Sequence, residues 1–536
     1  MIDFAFSNGG SEAGPAWGSA LLAPLAPDAL TPFTGSLLTE VAARAWYLYY
    51  DRLGFGPAPR AKVVRLHDGR PFVNLTLSAT LDAENAGITP PVVRIDGAAR
   101  PLLAWEKPGL LAGIKLARGA KKIEETLRQL QQELPAITAK TAAWQQRVAG
   151  LRWSQAEVLQ IMEEIEHVGA AALLPYFAAR HNLEWAYRRL LALLAPRSES
   201  EAAALLVQAL GGAAPTVELE MAQQVQRLGE HAASQPAVRA WLRAGVFDAW
   251  QTSLPPGAFA DELQAFMAQY GQRGLQEGEI AAPRWVEAPG LLFTAIRACA
   301  EGAPAPGVVP PADPQPLLAA IDGKVRKEAQ QLVTQMQALL TMQSQSLHAV
   351  AYMLAGTRQW ALAAAREALS DHRITALDAI FFYEVEEVKE MMTGEWNVSD
   401  LGAIHATAAA RQQALAGWRR IVPPGLIWGE RAAMLSASGL PAAVGSVNGS
   451  AFPAEAITAL PADAILVAQQ PESAAAILLP AARAFVTAQG SPLDPLCVCA
   501  RSLGRPGVVA AGAAITNVAP VARVAVDGAQ GKVTIL

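Results

Sequence analysis

The chain has 536 residues, with 43 Lys plus Arg against 48 Asp plus Glu, a net charge of −5, and 52% hydrophobic residues. That near balance gives no basic surface for a nucleic-acid backbone, and the apolar content excludes global disorder. Three cysteines cannot staple a chain of this length, so a reducing, cytoplasmic setting is the expectation.

At about 150 residues per domain, the length suggests three or four domains. The opening Met1 to Gly10 has neither the basic flank nor the apolar block of a signal peptide. Two charge-free runs, 329–357 and 432–454, test a membrane reading. The first carries Gln330, Gln331, Gln335, Gln337, Gln343, Gln345 and His348; the second is broken by Gly, Ser, Pro and Asn. Neither reads as a bilayer helix of about 20 mostly apolar residues, and no membrane partner is expected.

Composition divides the chain into three zones. Residues 1–105 read as an irregular N-terminal segment with a β-hairpin. Val63 to Leu66 is one strand, His67-Asp68-Gly69-Arg70 the turn, and Phe72 to Leu77 the return. Asp-Gly supplies the positive-φ positions of a tight hairpin. Residues 106–420 read as mostly helical. Ser154-Gln-Ala-Glu157 and Ser198-Glu-Ser-Glu201 have the spacing of capping boxes. Val158, Ile161, Met162 and Ile165 follow at helical period, and Phe259, Leu263, Phe266, Met267 and Tyr270 form another apolar stripe. The Pro- and Gly-rich segment 301–314 reads as a linker. Residues 421–536 switch to short apolar runs at 464–468, 484–487, 507–510, 521–526 and 532–536, which read as buried strands. Helices fit between them at 469–479 and 496–503, making an α/β domain of about 100 residues.

The last zone resembles the swivelling phosphohistidine domain of the phosphoenolpyruvate synthase and pyruvate phosphate dikinase family. Thr487, Gly490, Ala500, Arg501, Gly504 and Pro506 fall in register with the family segment T-x-x-G-G-x-x-S-H-x-A-x-x-A-R-x-x-G-x-P. Pro461 to Val467 resembles its G-D-I-L-V strand, and Gly507-Val-Val and Val526 to Val533 resemble its ending. The helical zone is similar to the acceptor-binding domain of rifampin phosphotransferase-like proteins. Leu30-Thr31-Pro32-Phe33-Thr34-Gly-Ser36-Leu37 resembles T-P-L-T-x-S-L, and Asp68-Gly69-Arg70-Pro-Phe72-Val-Asn74 resembles G-R-x-Y-x-N. Tyr270 to Glu287 resembles Y-G-H-R-x-x-x-E-x-E-I-x-x-P-R-W-x-E, with Gln272 in place of the His. Asp378 to Glu387 resembles D-I-F-F-L-x-x-E-E-L. The resemblance implies a mainly α-helical acceptor-type domain followed by a C-terminal α/β swivelling phosphohistidine-like domain.

Where the resemblance puts the phosphate-carrying histidine, this chain has Pro495, preceded by Asp494 and with Ser491 for the second glycine. Proline has no nucleophilic side chain and no amide donor. Asp494 is the sole nearby substitute acceptor. Cys497 and Cys499 read as small buried residues on a helix. The family's Arg-Glu-x-x-Lys element finds only Gln343-Ser-Gln-Ser-Leu-His348, and Lys and Arg are absent between Lys327 and Arg358. Phosphoryl transfer needs positive charge around the transferring oxygens. The space before Leu30 is too short for the family's ATP-grasp domain, and the sequence stops at Leu536, where its phosphoenolpyruvate-binding barrel would follow. No catalytic residue and no cofactor are therefore expected in this chain, ATP and Mg entering only with a partner ATP-grasp subunit.

Arg273, Glu277, Glu279 and Arg284 are the expected substrate-binding cluster, with Glu287 beside them; buried ion pairs that lock a loop are the alternative. Glu163 and His167, four apart on one face, are two ligands at most and do not make a metal site. His67 reads as exposed, His348 as a core histidine, and Arg118, Lys121 and Lys122 as a solvated helix start. Three functions are open. One is a histidine-relay-deficient family member that binds a small molecule or partner protein in the acceptor cleft. Another is the acceptor-binding subunit of a split ATP-dependent phosphotransferase, resembling phenylphosphate synthase. The third is a scaffold for an active paralogue.

Overall fold

The computed structural model describes residues 3–56, 61–105, 109–151, 154–195, 197–212, 215–247, 249–302, 309, 311–395, 401–435, 439–454 and 457–536. The N-terminal part supplies β1 (Asp3–Phe6), β2 (Ala16–Gly18), α1 (Pro32–Leu53), β3 (Val64–His67), β4 (Arg70–Asn74), α2 (Leu75–Ala86), β5 (Val92–Ile95) and β6 (Ala98–Pro101). The helical part begins with α3 (Leu110–Ala149), α4 (Gln155–Leu193), α5 (Glu199–Leu210), α6 (Val217–Ser234), α7 (Pro236–Ala244) and α8 (Trp250–Ser253). It continues through α9 (Ala258–Tyr270), α10 (Gly290–Gly302), α11 (Gln315–Ala319), α12 (Arg326–Ser370), α13 (Val385–Thr393) and α14 (Leu401–Trp418). The last part holds β7 (Leu426–Trp428), β8 (Arg431–Leu435), β9 (Leu440–Ala443), β10 (Ser446–Pro453), β11 (Ala464–Ala468) and β12 (Ala484–Thr487). It ends with α15 (Pro495–Ser502), β13 (Gly507–Val509), β14 (Arg523–Asp527) and β15 (Lys532–Ile535).

Local chemistry explains the main helix starts. Ser154 and Ser198 each form the reciprocal capping box with Glu157 and Glu201, satisfying amides that have no partner in the first turn. Thr31 caps α1 and Pro32 occupies its first turn, where a missing N–H costs nothing. This 22-residue helix lies in a segment whose sequence reads as irregular. The hairpin turns at Asp68 and Gly69, with φ of 48° and 71°, and pairs His67 with Arg70. The return strand is shorter than the apolar run suggests. Asn74 Oδ1 accepts the Leu77 amide at 2.9 Å, so Leu75, Thr76 and Leu77 enter α2 instead of extending β4. Arg118, Lys121 and Lys122 are exposed but lie inside α3, beyond its start. Glu301 and Gly302 finish α10; residues 303–308 and 310 of the expected linker lie outside the described residues. Only Ser473–Leu478, a 3-10 segment, forms where the sequence suggests a helix over 469–479.

Among the described residues the strands form two sheets. The first has the order β3-β4-β2-β7-β8-β1-β5-β6, and the second β15-β14-β10-β11-β12-β13-β9. Strands β7 and β8 thus pair with β2 and β1 (Phe4 opposite Leu435), so residues 426–435 lie in the N-terminal sheet. The second sheet starts at β9, with β10, β11, β12 and β13 parallel in turn.

Side chains alternate across this second sheet, as period two requires. Ile465, Val467, Ala484 and Val486 belong to an outer core with Val508, Val524 and Val526. Leu466 and Phe485 face the other way, into a core that also contains Met221, Val225, Phe266, Phe293 and Ile296 of the helical part. That second core joins the two parts. A first core, built on α1, α3, α4 and α12, encloses Trp46, Tyr50, Phe177 and Trp360, and it takes in Leu493 and Val498 from around α15. No helix of the described residues is long and apolar enough to cross a membrane.

Asn74 is the hinge between hairpin and helix, since its Nδ2 also donates to the Lys62 carbonyl at 3.2 Å. Asn74→Ala is expected to lower stability in chemical denaturation by about 1–2 kcal/mol, and Asn74→Asp, which keeps the acceptor, to lose less.

Candidate functional site

Pro495 is the first residue of α15 and is buried, as is every residue from Pro492 to Arg501. A proline fits here because the first helical N–H has no intrahelical acceptor. The preceding turn is tight. Gly490 has φ +112°, and a Cβ there would lie 2.6 Å from Pro471 Cδ, so a side chain at this position is excluded on both counts. Arg501 anchors the turn from the far end of α15, donating to the carbonyls of Ala442 at 2.8 Å and Pro492 at 2.9 Å.

Asp494 occupies the N-cap position, but its carboxylate is turned away from the helix. Oδ2 accepts the Ser491 amide at 2.7 Å, and Oδ1 accepts Arg180 Nη1 at 2.7 Å. Arg180 lies on α4 and also pairs with Glu184 at 2.9 Å, one helical turn on. The side chains of Arg180 and Asp494 are 2% and 5% exposed. Gln343 of α12 completes the contact, donating to the Leu493 carbonyl at 3.1 Å and accepting from Arg180 at 3.4 Å. Burial opposes the charge on Arg180, yet the carboxylates of Asp494 and Glu184 more than offset it and hold the guanidinium pKa above its ordinary value. Burial pushes Asp494 up, against the pull of Arg180 and the Ser491 amide.

Cys497, Cys499 and Thr487 in this segment are held as well. Cys497 and Cys499 are fully buried, and burial pushes both thiols up, far from the thiolate form that reacts. Thr487 Oγ1 donates to the Gln489 carbonyl at 2.6 Å.

A second polar network lies between the same two parts. Arg273 forms a fork with Glu277, at 2.5 and 2.8 Å, and lies 3.6 Å from Glu218 at the start of α6. It also donates to Ser473 Oγ at 2.9 Å, and Ser473 in turn donates to Glu218. Glu472 accepts the Gln276 amide. Burial works against the Arg273 charge, and Glu277 and Glu218 raise its pKa despite it. Glu279 accepts from the Thr31 amide at 2.7 Å, the Thr31 hydroxyl at 2.8 Å and Thr34. It thereby ties this loop to the start of α1. Arg284 donates to the carbonyls of Glu277 and Glu279, and burial lowers its pKa to about 10.

The structure therefore brings Arg273, Glu277, Glu279 and Arg284 together, all buried and all bonded to protein groups. Arg284 borders a cavity of about 190 Å³, with Gln272 and Glu287. A larger groove, about 630 Å³, lies between α3, α4 and α12. Its floor includes Ile123, Leu127, Leu339 and Met342, and its rim Gln330, Gln331 and Gln335. Three of the glutamines of the charge-free run thus line a concave surface. No group of three or more potential metal ligands occurs among the described residues, and His167 is exposed, its Nδ1 3.1 Å from the Glu163 carbonyl.

Sequence reading missed Arg180, Glu184, Glu218 and Ser473. Arg180 and Glu184 had a local signal, an i,i+4 charge pair in an apolar helix. The positive charge absent from residues 328–357 of α12 is supplied here by Arg180 of α4, where two carboxylates consume it.

His348 departs from the expected satisfied core histidine. Its ring packs between Tyr270 and Tyr352, and its Nδ1 is buried with no hydrogen-bond partner among the described residues. Burial, with help from Arg273, lowers its pKa to about 3. The unfolded chain takes up this proton near pH 6.5 and the folded chain does not until about pH 3. The contribution to stability is full above pH 6.5 and is lost as pH falls through that interval, at up to about 1.4 kcal/mol per pH unit. Denaturation midpoints measured from pH 7 to pH 5 should fall less steeply in His348→Gln than in the parent; equal slopes would refute this assignment.

Comparison with known proteins agrees with this architecture. The family described as "Rifampicin phosphotransferase fourth domain" matches residues 172–369, and "PEP-utilising enzyme, mobile domain" matches residues 460–531. Curated relatives include uncharacterized proteins of Mycobacterium bovis (strain ATCC BAA-935 / AF2122/97) and Mycobacterium tuberculosis (strain ATCC 25618 / H37Rv). Each is 26% identical over 332 residues, covering 60% of this chain and 36% of the relative. The chain thus spans about a third of the length of these relatives. The ordered helical and mobile-domain matches support a relationship of these two regions to the superfamily of phosphoenolpyruvate synthase and pyruvate phosphate dikinase, of the rifampicin phosphotransferase-like kind.

Proposed function

We propose that this protein is a histidine-relay-deficient member of its superfamily, which binds a small molecule in the acceptor-type helical domain and carries no phosphoryl group on its mobile domain. The observation that carries this reading is the state of the carrier position. Pro495 has no nucleophile, and the adjacent carboxylate of Asp494 spends one oxygen on Arg180 and the other on the Ser491 amide. A relay needs a group that can attack a phosphoryl donor and then present it to an acceptor. Asp494 would have to break a buried ion pair to do either.

The groove between α3, α4 and α12 supports the binding half of the reading. Its volume lies in the range of small-molecule sites, and it combines an apolar floor with a few polar groups. Its polar lining includes glutamine amides, which donate and accept, and the charged side chains of Glu124, Arg128 and Glu328, which suits a small polar ligand. A split phosphotransferase, with ATP and Mg supplied on a separate ATP-grasp chain, is the competing reading and makes the opposite prediction at the carrier segment.

Purified protein incubated with labelled ATP or labelled phosphoenolpyruvate, with and without host lysate, should show no phosphoryl group on residues 487–506 by mass spectrometry under both acid and alkaline work-up. Label in that segment would overturn the proposal, and its dependence on ATP and lysate would favour the split enzyme.

A further inference from the structure

A third cavity, of about 400 Å³, has no part in the reading above. Its lining comes from Asp28 and Arg70 near the hairpin, Gln276, Arg419 to Pro423 after α14, the ends of β10 and β11 with the residues that follow them, and residues 513–518 after β13. Its charge is uneven, with three guanidiniums, Arg70, Arg419 and Arg420, against the carboxylates of Asp28 and Glu472.

The three arginines differ in what holds them. Arg70, with a side chain 6% exposed, donates through Nη2 to Asp28 at 2.8 Å. Its Nη1 donates to the carbonyls of Trp418 at 3.1 Å and Asp68 at 3.3 Å. Its Nε is buried and has no partner among the described residues. Arg419 donates to the Ala29 carbonyl at 3.4 Å and lies 3.7 Å from the other oxygen of Asp28. Asp28 is thus shared between two cations. Arg420 is exposed, and its side chain forms no hydrogen bond or ion pair with the described residues. Glu472, which accepts the Gln276 amide, is the second carboxylate of the lining, so the cations outnumber the anions by one.

A planar carboxylate has two oxygens to give, and those of Asp28 already go one to Arg70 and one toward Arg419. A tetrahedral dianion offers oxygens in several directions and suits cations arriving from two segments. The remaining polar lining is uncharged: Gln469, Thr516 and Asn517 lie on the side of the mobile domain. We infer that this cavity binds a small phosphomonoester with a hydroxylated body, its phosphate held by Arg70, Arg419 and Arg420 and its hydroxyls facing Gln469, Thr516 and Asn517. Such a ligand would touch the hairpin, the segment after α14 and the mobile domain at once. This inference does not depend on the α3–α4–α12 groove or on the carrier position.

Isothermal titration of the full chain with glucose 6-phosphate, citrate and glucose tests it. Glucose 6-phosphate should bind more tightly than citrate, and glucose should not bind. Arg420→Gln, which removes an exposed unpaired cation, should leave the melting temperature of the unliganded protein unchanged and weaken glucose 6-phosphate by at least about tenfold, with Arg420→Lys recovering part of the loss. No binding of glucose 6-phosphate at about 10 mM, a weak limit for a specific site, would overturn the proposal. So would equal binding by Arg420→Gln, or citrate binding as tightly as glucose 6-phosphate.

Discussion

A guanidinium taken out of water must be matched, and in this protein the match for Arg180 comes from the other end of the chain. Asp494 lies 314 residues away in sequence, yet its carboxylate, together with that of Glu184, lets Arg180 sit at 2% exposure. Removing one partner from such a pair typically costs about 3–5 kcal/mol, because the survivor remains buried and uncompensated. The pair is therefore less a source of net stability than a constraint on arrangement. It fixes where the turn before α15 must rest, and with it the mobile domain.

Other contacts act in the same direction. Gln343 reaches the Leu493 carbonyl, and Arg273, Glu218 and Ser473 form a closed ring of polar groups between helices and mobile domain. Around these, one hydrophobic core runs from α6, α9 and α10 into the inner face of the second sheet. Opening such an interface would expose apolar side chains and leave charged groups without partners. A domain that must carry a phosphoryl group between distant sites is better served by an interface that is small and polar, as is usual between moving domains. The proposed loss of the carrier role is consistent with an interface of this kind.

Local features were legible in the sequence. The capping boxes at Ser154 and Ser198, the strands at 464–468 and 484–487 and the buried cysteines of α15 all follow from short-range pattern. The ordered motifs also indicated, by resemblance, a large helical region followed by a mobile domain. What escaped was non-local. Strands β1, β2, β7 and β8 are short, and they acquire their identity by pairing across more than 400 residues, Phe4 with Leu435 for example. Helix α1 was hidden by a Pro- and Gly-rich approach. The loop 270–287 stood out in the sequence because its charge is dense. Its charges are dense because they satisfy one another and the start of α1. No pattern in one segment reveals that Arg180 and Asp494 meet.

The closed arrangement can be measured directly. Gln129 on α3 and Lys532 on β15 are exposed, and the native cysteines are buried, so spin labels can be placed at Gln129→Cys and Lys532→Cys without competition. Double electron–electron resonance on this doubly labelled chain should give one narrow distance distribution, unchanged by ATP or phosphoenolpyruvate. A second, longer or shorter population, present at rest or raised by either compound, would show that the mobile domain leaves Arg180 and would contradict the account.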